Sequence, residues 1–374
     1  MGGVEVGGGR GAVPTFGVEE EFFLVDPLTR APVPRGPDVL RALLPRLGGR
    51  VQAEFYRCQV ELCTRPTASA AELRADLAAL RSLAAGAARD AGCRLMASGT
   101  VVVPPDAPIP VTDTPRYRRM ARHFGAVVDG THGMVCGCHV HIGTEDRAQA
   151  LLLANELRPY LPALQGLLAN SPFRAGLESG FAGWRSVEFG RWPTAGPAPV
   201  LDAAGYEHTA SALVRSGVLL DRRMIYWFAR PSEHVPTLEV RVADSNADLD
   251  MTVLLALLVR GLATTALLRP RNGPAPAVPA ARMRAAHAAA ARHGDRGDAV
   301  DPFTGATVPA AERTSALLRR AAPGLAAAGD LDEAVRLLER TRRAGNGAER
   351  QRAAYRRAGR LRDVVDDLVA VTEA

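Results

Sequence analysis

At 374 residues and 47% hydrophobic content, the chain is long enough to bury a substantial core, as one large domain or two ordinary ones. The formal net charge is +6, but no sustained Lys/Arg block exists, which argues against a nucleic-acid partner while leaving an attraction for small anionic substrates. Five cysteines without framework spacing, no signal-peptide pattern and no charge-free apolar span lead to the expectation of a cytoplasmic protein with no membrane partner.

Residues 1–13 are Gly-rich and expected to be disordered, with a catalytic α+β domain over 14–270 and a helical section over 271–374 packed on the same domain. TFGVEEEFFLVD opens the fold as a strand to about Val25. Successive side chains of a strand point to opposite faces, so Glu19 and Glu21 share a side with Gly17, and Val18, Phe22 and Leu24 take the other. Glu20 falls on the apolar side and is expected to face a loop or cap a helix.

A turn-rich DPLTRAPVPRG and a short helix near Asp38 to Leu47 precede a strand pair between Val51 and Thr64, where Gln59 and Glu61 oppose Val60 and Leu62. Ser69 and Glu72 have capping-box spacing ahead of Leu73, Leu77, Leu80 and Leu83, which predicts a long helix. CRLMASGTVVV reads as a buried strand, and PPDAPIPVTDTP as a proline-rich loop of the kind that carries substrate contacts.

VCGCHVHIG is the next strand, with His139 and His141 on one side and Cys138, Val140 and Ile142 on the other. Asp146 to Ala169 is helical, kinked at Pro159 and Pro162, and the Gly-, Pro- and aromatic-rich SPFRAGLESGFAGWRSVEFGRWPTAGPAP reads as a lid or binding loop. Strands MIYWFARPS and TLEVRVAD follow, the second placing Glu239 and Arg241 on one side. Met251 to Leu268 is apolar but contains Arg260, so it reads as a buried helix. The tail should be broken at Gly294, Gly305, Gly324, Gly329 and Gly345 into several helices.

Taken singly, these motifs have ordinary readings: a glutamate run is a solvated surface, and an ExR pair is a weak cross-strand ion pair. Together they place Glu19, Glu21, Glu61, His139 and Glu239, with Glu54 beside them, on one open face of an antiparallel sheet. Carboxylates so crowded repel unless cations compensate, and hard oxygen ligands with an occasional imidazole favour Mg2+, with Mn2+ as the alternative, over zinc. Cys136 and Cys138 point away from the histidines. Carboxylate-held divalent ions usually serve phosphoryl groups, so ATP is the expected partner, with Arg241 placed to neutralise the transferring phosphoryl. No P-loop or Rossmann fingerprint is present.

GVEEEFFLVD, QVELCT, CGCHVHIG, the SPF…GWRS…RWPTAGP loop and MIYWFARPSEHVPTLEVRVAD, in this order, resemble the bacterial glutamate–cysteine ligase type 2 family, also called carboxylate-amine ligases. The likeness runs from about Thr15 to Leu268, more weakly through DPFTG near Asp301. It implies a glutamine synthetase-like fold, a curved, mainly antiparallel sheet with helices on its apolar face, and an ATP-dependent ligase that forms a γ-glutamyl amide through γ-glutamyl phosphate. Carried over motif by motif, Glu21, Glu54 and Glu61 would hold one metal and Glu19, His139 and Glu239 the other. Arg241 and His141 would meet the nucleotide, Glu61 and Arg241 would be essential for turnover, and Arg185 and Arg191 would bind the substrate α-carboxylate. The likeness also implies a homo-oligomer, dimer or larger, acting on glutamate and cysteine or another amino acid or amine.

Arg174, Glu178, Ser179 and Phe181 depart from the usual family loop, as do Cys63 and SNADLD, so the acceptor pocket is expected to differ. Two other classes compete: a metal-dependent hydrolase of amides or phosphoesters, and a non-catalytic member of the fold that binds a nucleotide or metabolite.

Overall fold

The computed structural model describes residues 13–125, 127–128, 133–269 and 278–374. The Gly-rich start, apart from Val13, and the expected division at 270/271 therefore lie outside the described residues.

The chain begins with β1 (Phe16–Val25), α1 (Gly36–Leu47), β2 (Val51–Ala53), β3 (Gln59–Cys63), α2 (Ala70–Asp90) and β4 (Arg94–Met96). It continues through α3 (Pro115–His123), β5 (Gly137–Gly143), α4 (Arg147–Leu157), α5 (Leu161–Leu167), the two-residue strands β6 (Phe173–Arg174) and β7 (Leu177–Glu178), α6 (Trp184–Phe189) and α7 (Ala203–Arg215). The short β8 (Ala229–Pro231) and β9 (Thr237–Asp244) then complete a seven-stranded sheet of order β2-β3-β1-β5-β9-β8, with β4 beside the end of β1 and every pair antiparallel. The expected α+β class with a mainly antiparallel sheet is thus the observed one.

Alternation works as predicted on the apolar side, where Val18, Phe22, Leu24, Val60, Leu62, Val140, Ile142, Leu238 and Val240 are buried. Glu20 breaks that side, and the expectation of a loop-facing or capping acid is wrong. Arg81 of α2 grips its carboxylate at 2.6 and 3.0 Å, and Thr252 Oγ1 donates to it at 2.7 Å. An acid among apolar residues needs such a partner, and nothing in β1 alone reveals an arginine 61 positions away.

The polar side is not open as expected. Glu21, Glu61, His139 and Glu239 are all buried. The proline-rich loop after β4 is fastened to the segment that carries Glu54: Thr112 N–H and Oγ1 donate to the carbonyls of Phe55 and Glu54, and Arg57 N–H donates to that of Pro110. A sequence pattern shows which side is polar, not what lies on top of it.

Ser69 caps α2 as its spacing predicts, accepting the Glu72 N–H, but Glu72 turns its carboxylate to Thr67 Oγ1, so the box is half made. Of CRLMASGTVVV only three residues pair as β4, and of MIYWFARPS only three as β8. The remainder are mostly buried and irregular, apart from Met224 in a 3-10 turn and the single bridges of Thr100 to Val135 and Trp227 to Gly196.

The apolar stretch forms α8 (Leu249–Leu268), enclosed by the protein, with Arg260 paired to Asp330 and bonded to the Ala68 carbonyl. After α9 (Ala280–His293) and a hairpin of β10 (Asp298–Val300) and β11 (Thr307–Pro309) come α10 (Ala310–Ala328), α11 (Leu331–Ala344), α12 (Gly347–Ala358) and α13 (Leu361–Thr372). Gly294, Gly329 and Gly345 end helices at positive φ, and Gly305 turns the hairpin. Gly324 breaks nothing: a Cβ there would stand 2.1 Å from the Gly261 carbonyl oxygen, so it is the contact at which α10 seats on α8. The C-terminus packs back on the sheet, Glu373 accepting from Arg94 and Leu95 N–H of β4.

Candidate functional site

Strand register builds the site. Glu21 lies opposite Glu61 across β1 and β3, Glu19 opposite His139 across β1 and β5, and His141 opposite Glu239 across β5 and β9. Three residue steps of β9, Val240 to Ala243, face two of β5, Cys138 to Val140. The extra residue is a bulge in the stretch holding Arg241, a device that re-aims a side chain, and it brings Arg241 Nη1 onto Glu239 and within 3.5 Å of His139 Nδ1.

His139 Nδ1 is 3.2 Å from Glu19 Oε2 and 3.8 Å from Glu239 Oε1, and His141 Nε2 is 3.2 Å from Glu19 Oε1. Candidate ligand atoms within 4.8 Å of one another come from three sets: Glu21, Glu54 and Glu61; Glu19, Glu61 and His139; and Glu19, His141 and Glu239. The structure therefore brings together all six residues expected at the metals. In the compact set that contains Glu239, the imidazole is that of His141, the residue expected on the nucleotide.

Charge is divided unevenly. Burial pushes Glu61 far up, helped by the charges of Glu19, Glu54 and Glu21, and burial beside Glu21 takes Glu54 up to about 7. Glu21 also rises on burial, against the opposing pull of Arg185 and the Gly137 N–H. On the other side burial is overcome: His139 and His141 hold Glu19 well below the usual range, and Arg230 and Arg241 do so for Glu239. Burial and Arg241 bring His139 down to about 4, so it is a neutral imidazole, while Glu19 raises His141.

This donor set fits a divalent cation. Carboxylates are driven toward protonation for want of positive charge, and the buried Nε2 atoms of His139 and His141 make no hydrogen bond. Cys138 is buried near Glu20 on the opposite face, and Cys136 Sγ accepts from Gln59 Nε2 at 3.3 Å.

Arg185 and Arg191 separate. Arg185 is 2% exposed, stacks over Phe189 and lies so close to β5 that a Cβ on Gly137 would be 2.2 Å from Nη2; its Nε has no partner. Ser171 Oγ, which donates to Asp244 at 2.6 Å, also accepts the Arg185 N–H at 3.0 Å and fixes the start of α6. Arg191 is exposed, 3.7 Å from Glu188, which also takes Arg174 and Trp184 Nε1 at 2.9 and 2.8 Å.

Sequence reasoning passed over Arg230, whose Nε stands 2.9 Å from Glu239 Oε2. The signal was a lone arginine on a strand next to the ExR strand. It also passed over Tyr226, under the Arg241 guanidinium at 5.8 Å, and Asp244, both outside any acid or histidine repeat.

A family profile described as glutamate–cysteine ligase family 2 matches residues 15–367. A Saccharopolyspora erythraea protein provisionally named glutamate–cysteine ligase 2-1 is 44% identical over 359 residues, covering 96% of this chain and 94% of that one. Among solved structures, the Francisella tularensis glutamate–cysteine ligase in complex with AMP superposes with a TM-score of 0.75 at 14% identity, covering 96% of this chain and 88% of that one. A bifunctional glutathione synthetase from Pasteurella multocida gives 0.71 at 16% identity over 96% of this chain, which spans about half (52%) of that longer protein. At such identities the two structures speak for the fold alone.

Proposed function

This chain belongs to glutamate–cysteine ligase family 2, a family of ATP-dependent ligases that form amide bonds, and on that premise we propose that it joins the γ-carboxylate of glutamate to an amine through γ-glutamyl phosphate. One observation carries the reading: acids and imidazoles from β1, β3, β5 and β9, with Glu54, converge beside the guanidinium groups of Arg241 and Arg230 on the polar side of the sheet. The acceptor is cysteine or another amino acid or amine.

In the first half-reaction a γ-carboxylate oxygen attacks the γ-phosphorus of ATP and the bond to the bridging oxygen breaks, releasing ADP. In the second, the amine nitrogen attacks the acyl carbon, loses a proton and expels phosphate, which carries away the γ-carboxylate oxygen that had attacked phosphorus. Negative charge gathers on phosphoryl oxygens in both, so donors fixed before the reaction are what the protein can contribute. Arg241 is held charged by Glu239 and Glu21, and its Nε has no hydrogen-bond partner among the described residues. Glu21, Glu54 and Glu61, and Glu19 and Glu239 with His139 and His141, would hold Mg2+ or Mn2+, which when bound would supply positive charge against the phosphate oxygens.

Arg185, with its own unpartnered Nε, and the exposed Arg191 supply cations for the substrate α-carboxylate. The enzyme acts in the cytoplasm as a homo-oligomer with no nucleic-acid or membrane partner; enclosure of α8 within the core supports the last point. The test is incubation with glutamate, ATP, Mg2+ and a pool of amino acids and amines, followed by mass spectrometry. A γ-glutamyl amide matched by equal ADP is expected; neither product with any amine would refute the proposal.

A further inference from the structure

A second cavity lies away from the polar face of the sheet, between the end of α9, the first turns of α12 and Ala182 in the loop before α6. Its volume is about 200 Å3, room for a small metabolite, and charged or amide side chains make most of its wall. Several of these charges are already matched. Arg296 Nε stands 2.7 Å from Glu349 Oε1, and Arg352 Nη2 stands 2.7 Å from Glu178 Oε1.

Two are not. Arg356, exposed on α12, makes no hydrogen bond or ion pair with any described residue, so its charge is met by water. Asp295 accepts one hydrogen bond, from Asn346 Nδ2 at 2.8 Å, and has no cation within 4.0 Å among the described residues. Burial and the neighbouring Glu349 charge push its carboxyl up to about 7, against the weaker opposing pull of its own backbone N–H and of Arg296 and Arg342. A single cavity thus presents one cation and one acid, neither in a direct ion pair among the described residues.

We propose that this cavity binds a small zwitterion of amino-acid size, its carboxylate on Arg356 and its ammonium on Asp295. A simple anion would leave Asp295 unmatched, and a simple cation would leave Arg356 so. The polar walls formed by Asn346, Glu349 and Arg352 suit a polar side chain over an apolar one.

The wall of the cavity is tied to the polar face of the sheet through the backbone. Ala182 and Gly183 N–H donate to the Ala291 carbonyl of α9 at 3.0 and 2.9 Å, and Trp184 N–H donates to Ser171, the residue that links Arg185 to Asp244. The binding claim does not rest on the ligase reading.

The test is calorimetric titration of the full chain, free of metal and nucleotide, with glycine, L-serine and L-glutamine up to ~10 mM, the weak end of the measurable range. One of the three is expected to bind once per chain. Asp295→Asn and Arg356→Ala should each weaken it about 10-fold, the equivalent of one charge-assisted contact. Glu61→Gln, in the sheet cluster, should leave it unchanged. Binding of none of the three, binding indifferent to both variants, loss only in Glu61→Gln, or equal binding of acetate would each overturn the proposal.

Discussion

Glu21 and Glu61 face each other directly across β1 and β3, both buried, an arrangement that costs stability in any sheet. Nothing in the fold requires it. The strain is relieved by protonation in the metal-free chain or by a bound cation, so removing one acid should raise metal-free stability and lower activity.

Glu61→Gln keeps the shape and removes one negative charge. The metal-free variant should be more stable than the parent by about 1 kcal/mol, read from urea unfolding. ADP formation should fall on the order of 100-fold, since losing a ligand costs no less than losing the outer partner of one. A variant that turns over normally would remove Glu61 from the ligand set.

Glu54 gives the pH dependence its sign. Its carboxyl sits at about 7 in the folded metal-free chain, against an ordinary value of 4.5, so the folded state holds this proton more tightly. The resulting stability is fully present below 4.5 and is lost as pH rises through 7. Mg2+ takes the place of the proton. The increase in melting temperature on adding Mg2+ should therefore grow between pH 5 and pH 8, with proton release on binding. A constant increment over that range would contradict the assignment.

Arg241 and Gly137 test the guanidinium contacts. Arg241→Lys replaces a planar fork with a point charge and should lower kcat about 10²-fold or more, the usual effect of losing one fixed donor to a transition-state oxygen. Gly137→Ala drives a methyl group into the Arg185 guanidinium and should cost about 1–3 kcal/mol by overpacking. Its KM for glutamate should rise with KM for ATP little changed; a reversed pattern would place Arg185 on the nucleotide.

The buried pair behind the sheet is the structural counterpart. Arg81→Met leaves Glu20 charged and unmatched and should destabilise by about 3–5 kcal/mol in urea unfolding, whereas Arg81→Met with Glu20→Leu should recover most of that loss. A double variant as unstable as the single one would show that Thr252 and the carbonyls of Asn246 and Ala247 depend on the pair.

Period-two alternation made Glu19, Glu21, Glu61, His139 and Glu239 legible as one face, because strand geometry converts spacing into direction without reference to other residues. What alternation cannot report is distance along the chain. The Glu20–Arg81 pair, the bond from Thr112 to the Glu54 carbonyl, and the choice of Arg230 as partner of Glu239 are tertiary facts. Glycine was misread for a related reason: Gly324 and Gly329 look alike in sequence, yet one allows two helices to touch and the other ends a helix at positive φ. The bulge at Arg241 also leaves no mark in TLEVRVAD, since it is defined by the pairing with β5.

The account is tested most directly by supplying glutamate with both γ-carboxylate oxygens replaced by oxygen-18, together with ATP, Mg2+ and whichever amine is accepted. Attack of that carboxylate on the γ-phosphorus requires each phosphate released to carry one heavy oxygen. Unlabelled phosphate released alongside a γ-glutamyl amide would show that glutamate is not activated by phosphoryl transfer at this site.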